Sequence, residues 1–358
     1  MQDHEKIRQL FERYRQGECT PEELAQLHAW FNQYAHHEAH GFDDLGEMYK
    51  AEQFYKKKQW LHWLPYTAAA AMLLFALAWY FNDNTVENAN PEMVKTSNDI
   101  RPGRNRATLF LAGGRAMDLS ETESGIVIGH ERILYEKGAE ALVNLDADEA
   151  TPLVLSTPKG GTYQITLSDG TKVWLNAASI LKYPSRFTDT ERVVEVEGEA
   201  YFSVAKDLNK PFRVVSRGQQ IEVLGTEFNV SAYADESELK TTLVEGNVQL
   251  LINNGKCMLL MPNEQSVLSG STISKQVVDI GPYIAWKDGN FNFDNTTLSD
   301  MMKQMSRWYD VDVIYESDVP KERFSGTMSR DVTLQTVLEL LRISEITYRI
   351  QGNKLIIE

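Results

Sequence analysis

The chain has 358 residues, 42% apolar and 24% charged, with 51 acidic against 36 basic side chains and a formal charge of −15. That apolar fraction excludes wholesale disorder, the length predicts roughly two domains at about 150 residues each, and the acidity excludes a broad nucleic-acid-binding face, which needs clustered Lys and Arg. Two cysteines, Cys19 and Cys257, exclude a disulfide-built scaffold and a Cys-rich zinc site, and each is expected to be a small buried apolar residue.

Residues 1–60 read as helices. Ile7, Leu10, Phe11 and Tyr14 recur at 3–4 spacing and form one apolar stripe, which Gly17 can close. Thr20-Pro21-Glu22-Glu23 starts the next helix: Thr20 is the N-cap, Pro21 fits the first turn, and Glu23 is the capping-box acid. Leu24, Leu27, Trp30 and Phe31 line one face of it, and a third helix runs from Asp43 toward Phe54. Sixty residues bury only about 60% of their surface. The segment is therefore either a small self-sufficient bundle or one that completes its burial against a partner. His36, His37 and His40 lack a carboxylate cluster at fixed spacing and read as a solvated face, so no metal or cofactor is expected.

Leu64 to Phe81 reads LPYTAAAAMLLFALAWYF, 18 residues without a charge. As a helix it covers about 27 Å, close to the bilayer hydrocarbon core of about 30 Å. Trp60, Trp63 and Tyr66 flank one end and Trp79, Tyr80 and Phe81 the other, where amphipathic rings favour the water–lipid boundary. Residues 61–82 are predicted to form a transmembrane helix. Lys50, Lys56, Lys57 and Lys58 precede it, and Lys95 is the only base between it and Arg101. The positive-inside rule then puts the N-terminus in the cytoplasm. A cleavable leader is not expected, because such segments begin near residue 1. Residues 83–100, polar and Asn-rich, read as a juxtamembrane linker.

From residue 101 the period becomes two. Leu109, Leu111, Met117 and Leu119 alternate around Gly113-Gly114, and the layout returns 56 residues later with Ile165, Leu167, Gly170, Val173 and Leu175. Val194, Val196, Ala200, Phe202 and Val204 alternate with Glu195, Glu197 and Glu199, which read as a solvated face. Phe212–Val214, Ile221–Val223, Phe228–Val230 and Val248–Ile252 follow. Residues 101–280 are therefore predicted as an all-β domain, a sandwich or a short stacked solenoid. Residues 281–358 predict an α+β domain. Helices Leu298–Trp308 and Leu334–Arg342, 36 residues apart, each lie between strands as a tandem βαβ repeat, with Met301, Met302 and Met305 facing inward.

The chain contains no phosphate-binding GxxxxGK, no HExxH and no GxSxG, and the segment after the span has one histidine, His130. Asp146 and Asp148 lack the Gly and Glu of a calcium loop. Nothing predicts an enzyme acting on a diffusible substrate. One bond is chemically distinctive. In Val223-Leu224-Gly225-Thr226-Glu227-Phe228, the Thr226 hydroxyl follows a glycyl carbonyl, which it could attack in a strained backbone, turning the amide into an ester that water cleaves. The alternative is a glycine at a bulge or corner.

Thr157-Pro158-x-Gly160, Leu167-Ser168-Asp169-Gly170-Thr171-Lys172-Val173-Trp174-Leu175-Asn176-Ala177, Tyr183-Pro184-x-x-Phe187, Glu197-Gly198-Glu199-Ala200-Tyr201-Phe202-x-Val204, Pro211-Phe212-x-Val214, Val223-Leu224-Gly225-Thr226-x-Phe228-Asn229-Val230 and Thr242-Leu243-Val244-Glu245-Gly246-x-Val248 together resemble the periplasmic domain of FecR-family anti-sigma factors. The tail from Trp286 resembles the companion C-terminal domain of Bacteroidota members, similar to the short signalling modules of secretins and TonB-dependent receptors. Leu10-Phe11-x-x-Tyr14-x-x-Gly17 and Leu27-x-x-Trp30-Phe31 resemble the family's N-terminal segment. The resemblance implies a cytoplasmic segment that holds an extracytoplasmic-function (ECF) sigma factor. It implies a periplasmic part that contacts the signalling domain of an outer-membrane TonB-dependent transducer, and membrane proteases that free the cytoplasmic segment. On it, Leu10, Phe11, Tyr14, Leu24, Leu27, Trp30 and Phe31 would bind the sigma factor, and Gly225-Thr226 would be a self-cleavage bond. A membrane-anchored periplasmic binding or assembly protein, for example for glycans, stays open as the other class. Of the net charge, residues 1–62 carry 8 basic and 11 acidic groups and residues 82–358 carry 28 and 40, so any effect on transcription is expected to pass through a protein partner.

Overall fold

The computed structural model describes residues 99–358, apart from 139–140, 146–149, 188–189 and 254. The predicted sigma-factor residues Leu10, Phe11, Tyr14, Leu24, Leu27, Trp30 and Phe31, the span at 61–82 and most of the linker lie outside the described residues, as do Cys19, Asp146 and Asp148. Among the described residues no helix is long and apolar enough to cross a membrane.

Period-two alternation in residues 104–277 produces strands that pair almost entirely with antiparallel neighbours. One ladder runs from Ala116–Asp118 through Thr108–Phe110, Pro152–Thr157 and Ser179–Pro184 to the first half of Arg192–Ser203. It continues through Phe212–Ser216, Gln219–Val223 and Val248–Ile252 to Cys257–Leu260. The other runs from Ala141–Asn144 through Arg132–Tyr135, Gly125–Ile128, Gly161–Thr166 and Lys172–Leu175 to the second half of Arg192–Ser203. Glu227–Ala232, Glu238–Glu245, Glu264–Ser269 and Thr272–Val277 complete it. The inward residues of both ladders form a single core. At its centre Phe202 stacks on Phe228 with centroids 5.1 Å apart and tilts against Phe212 at 6.2 Å.

The strand Arg192–Ser203 belongs to both ladders because it bends at Gly198, whose φ is +85°. A Cβ there would lie 2.4 Å from Ser179 Oγ and 2.7 Å from the Ala178 carbonyl oxygen, so both the conformation and the space demand glycine. The bend corrects the reading of the three glutamates. Glu195 and Glu197 are exposed and pair with Lys182, whereas Glu199, beyond the bend, turns into a polar network under the C-terminal domain. The expectation of a buried Cys257 is corrected as well. Its strand sends Leu260 inward and Met258 partly inward, and strand parity leaves Cys257 exposed.

The 56-residue repeat holds in register. Leu109 faces Met117 as Ile165 faces Val173. The turns match too: Leu111 N donates to Arg115 O as Leu167 N does to Thr171 O, and Gly114 N donates to Leu111 O as Gly170 N does to Leu167 O.

The C-terminal domain has two strand–helix–strand stretches, but the strands before and after each helix lie in different sheets, so neither is a βαβ unit within one sheet. Helix α1 (Leu298–Tyr309) follows strand Asn290–Thr297, and helix α2 (Leu334–Ile343) follows strand Arg323–Ser329; these two strands pair antiparallel. Asp312–Tyr315 pairs parallel with Lys354–Ile357, which pairs antiparallel with Tyr348–Gln351. Leu298, Met301, Met302 and Met305 are fully buried with Leu334, Val337, Leu338 and Leu341, so the methionine stripe is core. Thr297 caps α1, its Oγ1 accepting from Asp300 N at 3.1 Å.

Candidate functional site

Two places combine chemistry-bearing residues with unusual geometry. The first is Gly225-Thr226, at the corner where the chain leaves Gln219–Val223 for Glu227–Ala232 and so changes ladder. Gly225 has φ +152°, and a Cβ on it would lie 2.8 Å from Lys206 Cα. Segment 204–207 is tied across the corner: Val204 N donates to Thr226 O at 3.1 Å and Asp207 N to Leu224 O at 2.9 Å. Gly246 closes the other side, since its Cβ would stand 2.8 Å from Thr226 Oγ1 and 3.1 Å from Gly225 O.

Thr226 is buried, and its hydroxyl donates to the Asn247 carbonyl at 3.0 Å. That carbonyl orients the hydroxyl, but an amide oxygen is too weak a base to take its proton. The neighbouring carboxylate is otherwise engaged: Glu227 accepts from Tyr201 Oη at 2.7 Å and Ser203 Oγ at 2.9 Å. Arg192, which alternation alone does not single out, holds the covering segment. Its Nη1 donates to Ala205 O at 2.7 Å and Asp169 Oδ2 at 2.8 Å, and its Nε donates to Lys210 O at 3.0 Å.

The second place is the seam where the C-terminal domain meets the β domain. Arg307 of α1 donates to Glu236 Oε1 at 2.6 Å and to both Asp235 oxygens at 2.9 and 3.0 Å, with its guanidinium 3.6 Å from the Tyr233 ring centroid. The adjoining backbone is joined by Gly160 N donating to Arg307 O at 2.7 Å. Arg330 is buried over the Trp308 ring at 3.8 Å and donates to Asn176 Oδ1 at 3.0 Å and Trp286 O at 3.3 Å. Burial pushes its pKa down to about 10, which leaves it charged at neutral pH. Glu199 accepts from Asn176 Nδ2 at 2.7 Å and Asn229 Nδ2 at 2.9 Å, and Trp286 Nε1 donates to Asn229 Oδ1 at 3.2 Å. Burial raises the Glu199 pKa, and the two amide bonds oppose that rise.

A cleft of about 510 Å³ opens on this seam. Four of its five cations are met locally, Lys303 by Asp300, Arg307 by Glu236, Lys240 by Glu238 and Arg323 by the Asn295 carbonyl, and the fifth is Arg330, held by Asn176 and the Trp286 carbonyl. Among the described residues no group of three or more His, Cys, Asp or Glu could hold a metal ion. Arg307 and Arg330 gave no signal in the sequence, because an arginine on an amphipathic helix or in a turn reads as solvent-facing.

Comparison with known proteins places this arrangement among regulators. The profile of the FecR protein family matches residues 154–249, which include the Gly225-Thr226 corner. The profile of the FecR C-terminal domain matches residues 290–357, which include α1 and α2. Two crystal structures of a candidate anti-sigma factor from Parabacteroides distasonis ATCC 8503 are each 32% identical in sequence, with TM-scores of 0.54 and 0.53. Each match covers 57% of this chain and 98% of that one. No curated protein matches the chain. Fold and sequence therefore define an anti-sigma-type regulator. The chain belongs to the FecR family of anti-sigma factors.

Proposed function

We propose that this chain is a single-pass inner-membrane anti-sigma factor with its N-terminus in the cytoplasm and its C-terminus in the periplasm. Residues 1–60 hold an ECF sigma factor through Leu10, Phe11, Tyr14, Leu24, Leu27, Trp30 and Phe31. The β domain and the C-terminal domain receive the signalling domain of an outer-membrane TonB-dependent transducer, and membrane proteases then free the cytoplasmic segment. The observation that carries the reading is the order of parts. An 18-residue uncharged stretch precedes a FecR-matching β domain and a FecR C-terminal match, which are joined by a buried arginine seam. The net charge of −15 supports a protein partner over direct DNA contact.

The test is co-purification of the full chain with candidate ECF sigma factors. Wild type retains one, and Leu27→Asp combined with Trp30→Asp releases it, since charges on an apolar docking face cost several kcal/mol. The reading fails when no sigma factor is retained and deletion of residues 1–60 changes no transcript.

Self-cleavage at Gly225-Thr226 belongs to the same proposal. Thr226 Oγ1 attacks the Gly225 carbonyl carbon, the C–N bond breaks, and the hydroxyl proton ends on the Thr226 nitrogen. Water then hydrolyses the ester to a Gly225 carboxylate and restores the hydroxyl. The Gly-only φ at 225 and the close walls of Lys206 and Gly246 support it. A blot with tags at both ends shows two fragments that Thr226→Ala abolishes; a single full-length band in wild type removes this step.

A further inference from the structure

The two strand–helix stretches of the C-terminal domain begin their helices differently. In α1, Thr297 caps the first turn together with Asp300. The equivalent positions 36 residues on are Thr333 and Thr336, so the second copy has no acid there, and Thr333 makes no side-chain cap bond. The missing acid comes from the far end of the described chain. Asp99 Oδ1 accepts from Gln335 N at 3.2 Å, and the Ile100 carbonyl accepts from Leu334 N at 3.0 Å. A carboxylate at this point satisfies two unmet needs of a helix start, a free N–H and the positive end of the dipole.

The contact continues along the chain. Ile100 packs against the C-terminal core. Gly103 passes so close to Trp308 that a Cβ would lie 2.6 Å from Trp308 Cε3 and 2.8 Å from Gly160 O. Arg104 N then donates to Gly160 O at 2.9 Å, and Arg104-Asn105 pairs parallel with Gly161-Thr162. Gly160 N in turn donates to Arg307 O. Residues 99–105 thus form a strap whose first part is gripped by α2 and Trp308 of the C-terminal domain, before the β domain takes over.

We propose that the C-terminal domain is a clasp on this membrane-proximal strap. A partner that shifts that domain uncaps α2, breaks the Asp99 and Ile100 contacts, and frees the strap for an endoprotease, with water as the second reactant at the hydrolysed bond. The proposal rests on the regulator reading for its purpose, but the clasp itself is measurable without a sigma factor or a transducer.

The test uses the full chain in membranes. Limited proteinase K digestion followed by mass spectrometry reads cleavage within residues 100–103, and hydrogen exchange reads the Gln335 amide. Asp99→Ala is expected to speed both by about fivefold to tenfold, the population shift of a lost charged cap. Exchange in the Phe202–Phe228 core stays unchanged, which separates release of the strap from unfolding. In a Cys257→Ser background, Asp99→Cys with Gln335→Cys locks the clasp when oxidised and slows cleavage below wild type; reductant restores it. Equal cleavage of wild type and Asp99→Ala, with Gln335 exchange faster, overturns the clasp. Transcription induced equally in the oxidised and reduced double-cysteine protein overturns its regulatory role. Loss of sigma-factor retention with the Asp99 effects intact counts against the regulator reading alone.

Discussion

Arg307→Ala tests the seam most directly. The guanidinium is 10% exposed and its Glu236 partner 18%, so this 2.6 Å charge-assisted bond is worth about 1.5–3 kcal/mol. Asp235 is 70% exposed, and its contribution is screened to about 0–1 kcal/mol. The desolvated contact with Tyr233 adds about 2 kcal/mol. Burial opposes the charge, but the attractions outweigh it, and the Arg307 pKa is raised. After desolvation, truncation should weaken docking of the C-terminal domain by about 2–4 kcal/mol, including the cost of leaving Glu236 half-buried and unpaired. Gly160 is a built-in reporter, because its amide donates to Arg307 O. Hydrogen exchange at Gly160 should rise at least about thirtyfold in the full chain while Ile165 and Val173 stay protected. A double-mutant cycle with Glu236→Gln should give a coupling of about 1–3 kcal/mol. A coupling below about 0.5 kcal/mol, with Gly160 exchange altered less than about threefold, would mean that Arg307 does not hold the seam.

The remaining predictions concern the β core, its bend and α1. Phe202→Ala should cost about 3–5 kcal/mol in urea unfolding, because the ring is fully buried between Phe212 and Phe228. Gly198→Ala should cost more than about 2 kcal/mol, since a Cβ collides with Ser179 and Ala178 at a positive φ, and a soluble yield and melting temperature equal to wild type would contradict the bend. At Asp300, burial disfavours the carboxylate, but hydrogen bonds from Lys303 and Thr297 outweigh it and hold the pKa below the usual value. A depressed folded pKa gives stability that is present above the unfolded value and lost as pH falls through the folded one. Asp300→Asn should therefore lower stability by about 0.5–1 kcal/mol at neutral pH, with the difference closing in strong acid, as read by melts of α1 across pH.

Several parts of the protein were legible because their signals are local. The alternation around Leu109 and Ile165 fixed two hairpins and their common register, since side-chain direction and turn residues are both set within a dozen positions. The Met301-Met302-Met305 stripe marked α1 for the same reason, and the Leu-Gly-Thr corner stood out by chemistry. Glu199 and Cys257 depart from expectation because composition and alternation do not say which face of a strand the protein covers. Asn176, Asn229 and Trp286, gathered beyond the bend at Gly198, cover Glu199, and the parity of the strand Cys257–Leu260 turns Cys257 outward.

Local sequence pattern was enough for the β character of the region after residue 101, the strands around Leu109, Ile165, Val194, Phe212 and Val248, the hairpin repeat, the two helix faces, the uncharged stretch at 64–81 and the motifs of the family. How the two described domains hold each other is set instead by contacts between residues far apart in the chain. Arg307 reaches Asp235 and Glu236, Arg330 reaches Asn176, and Asp99 caps α2, across 71–72, 154 and 236 positions. Such contacts leave no periodic trace, because a charged side chain on a helix, a turn or a connecting strap has the same sequence pattern whether it meets water or a partner. What distinguishes them is the burial, charge pairing and capping that the fold supplies.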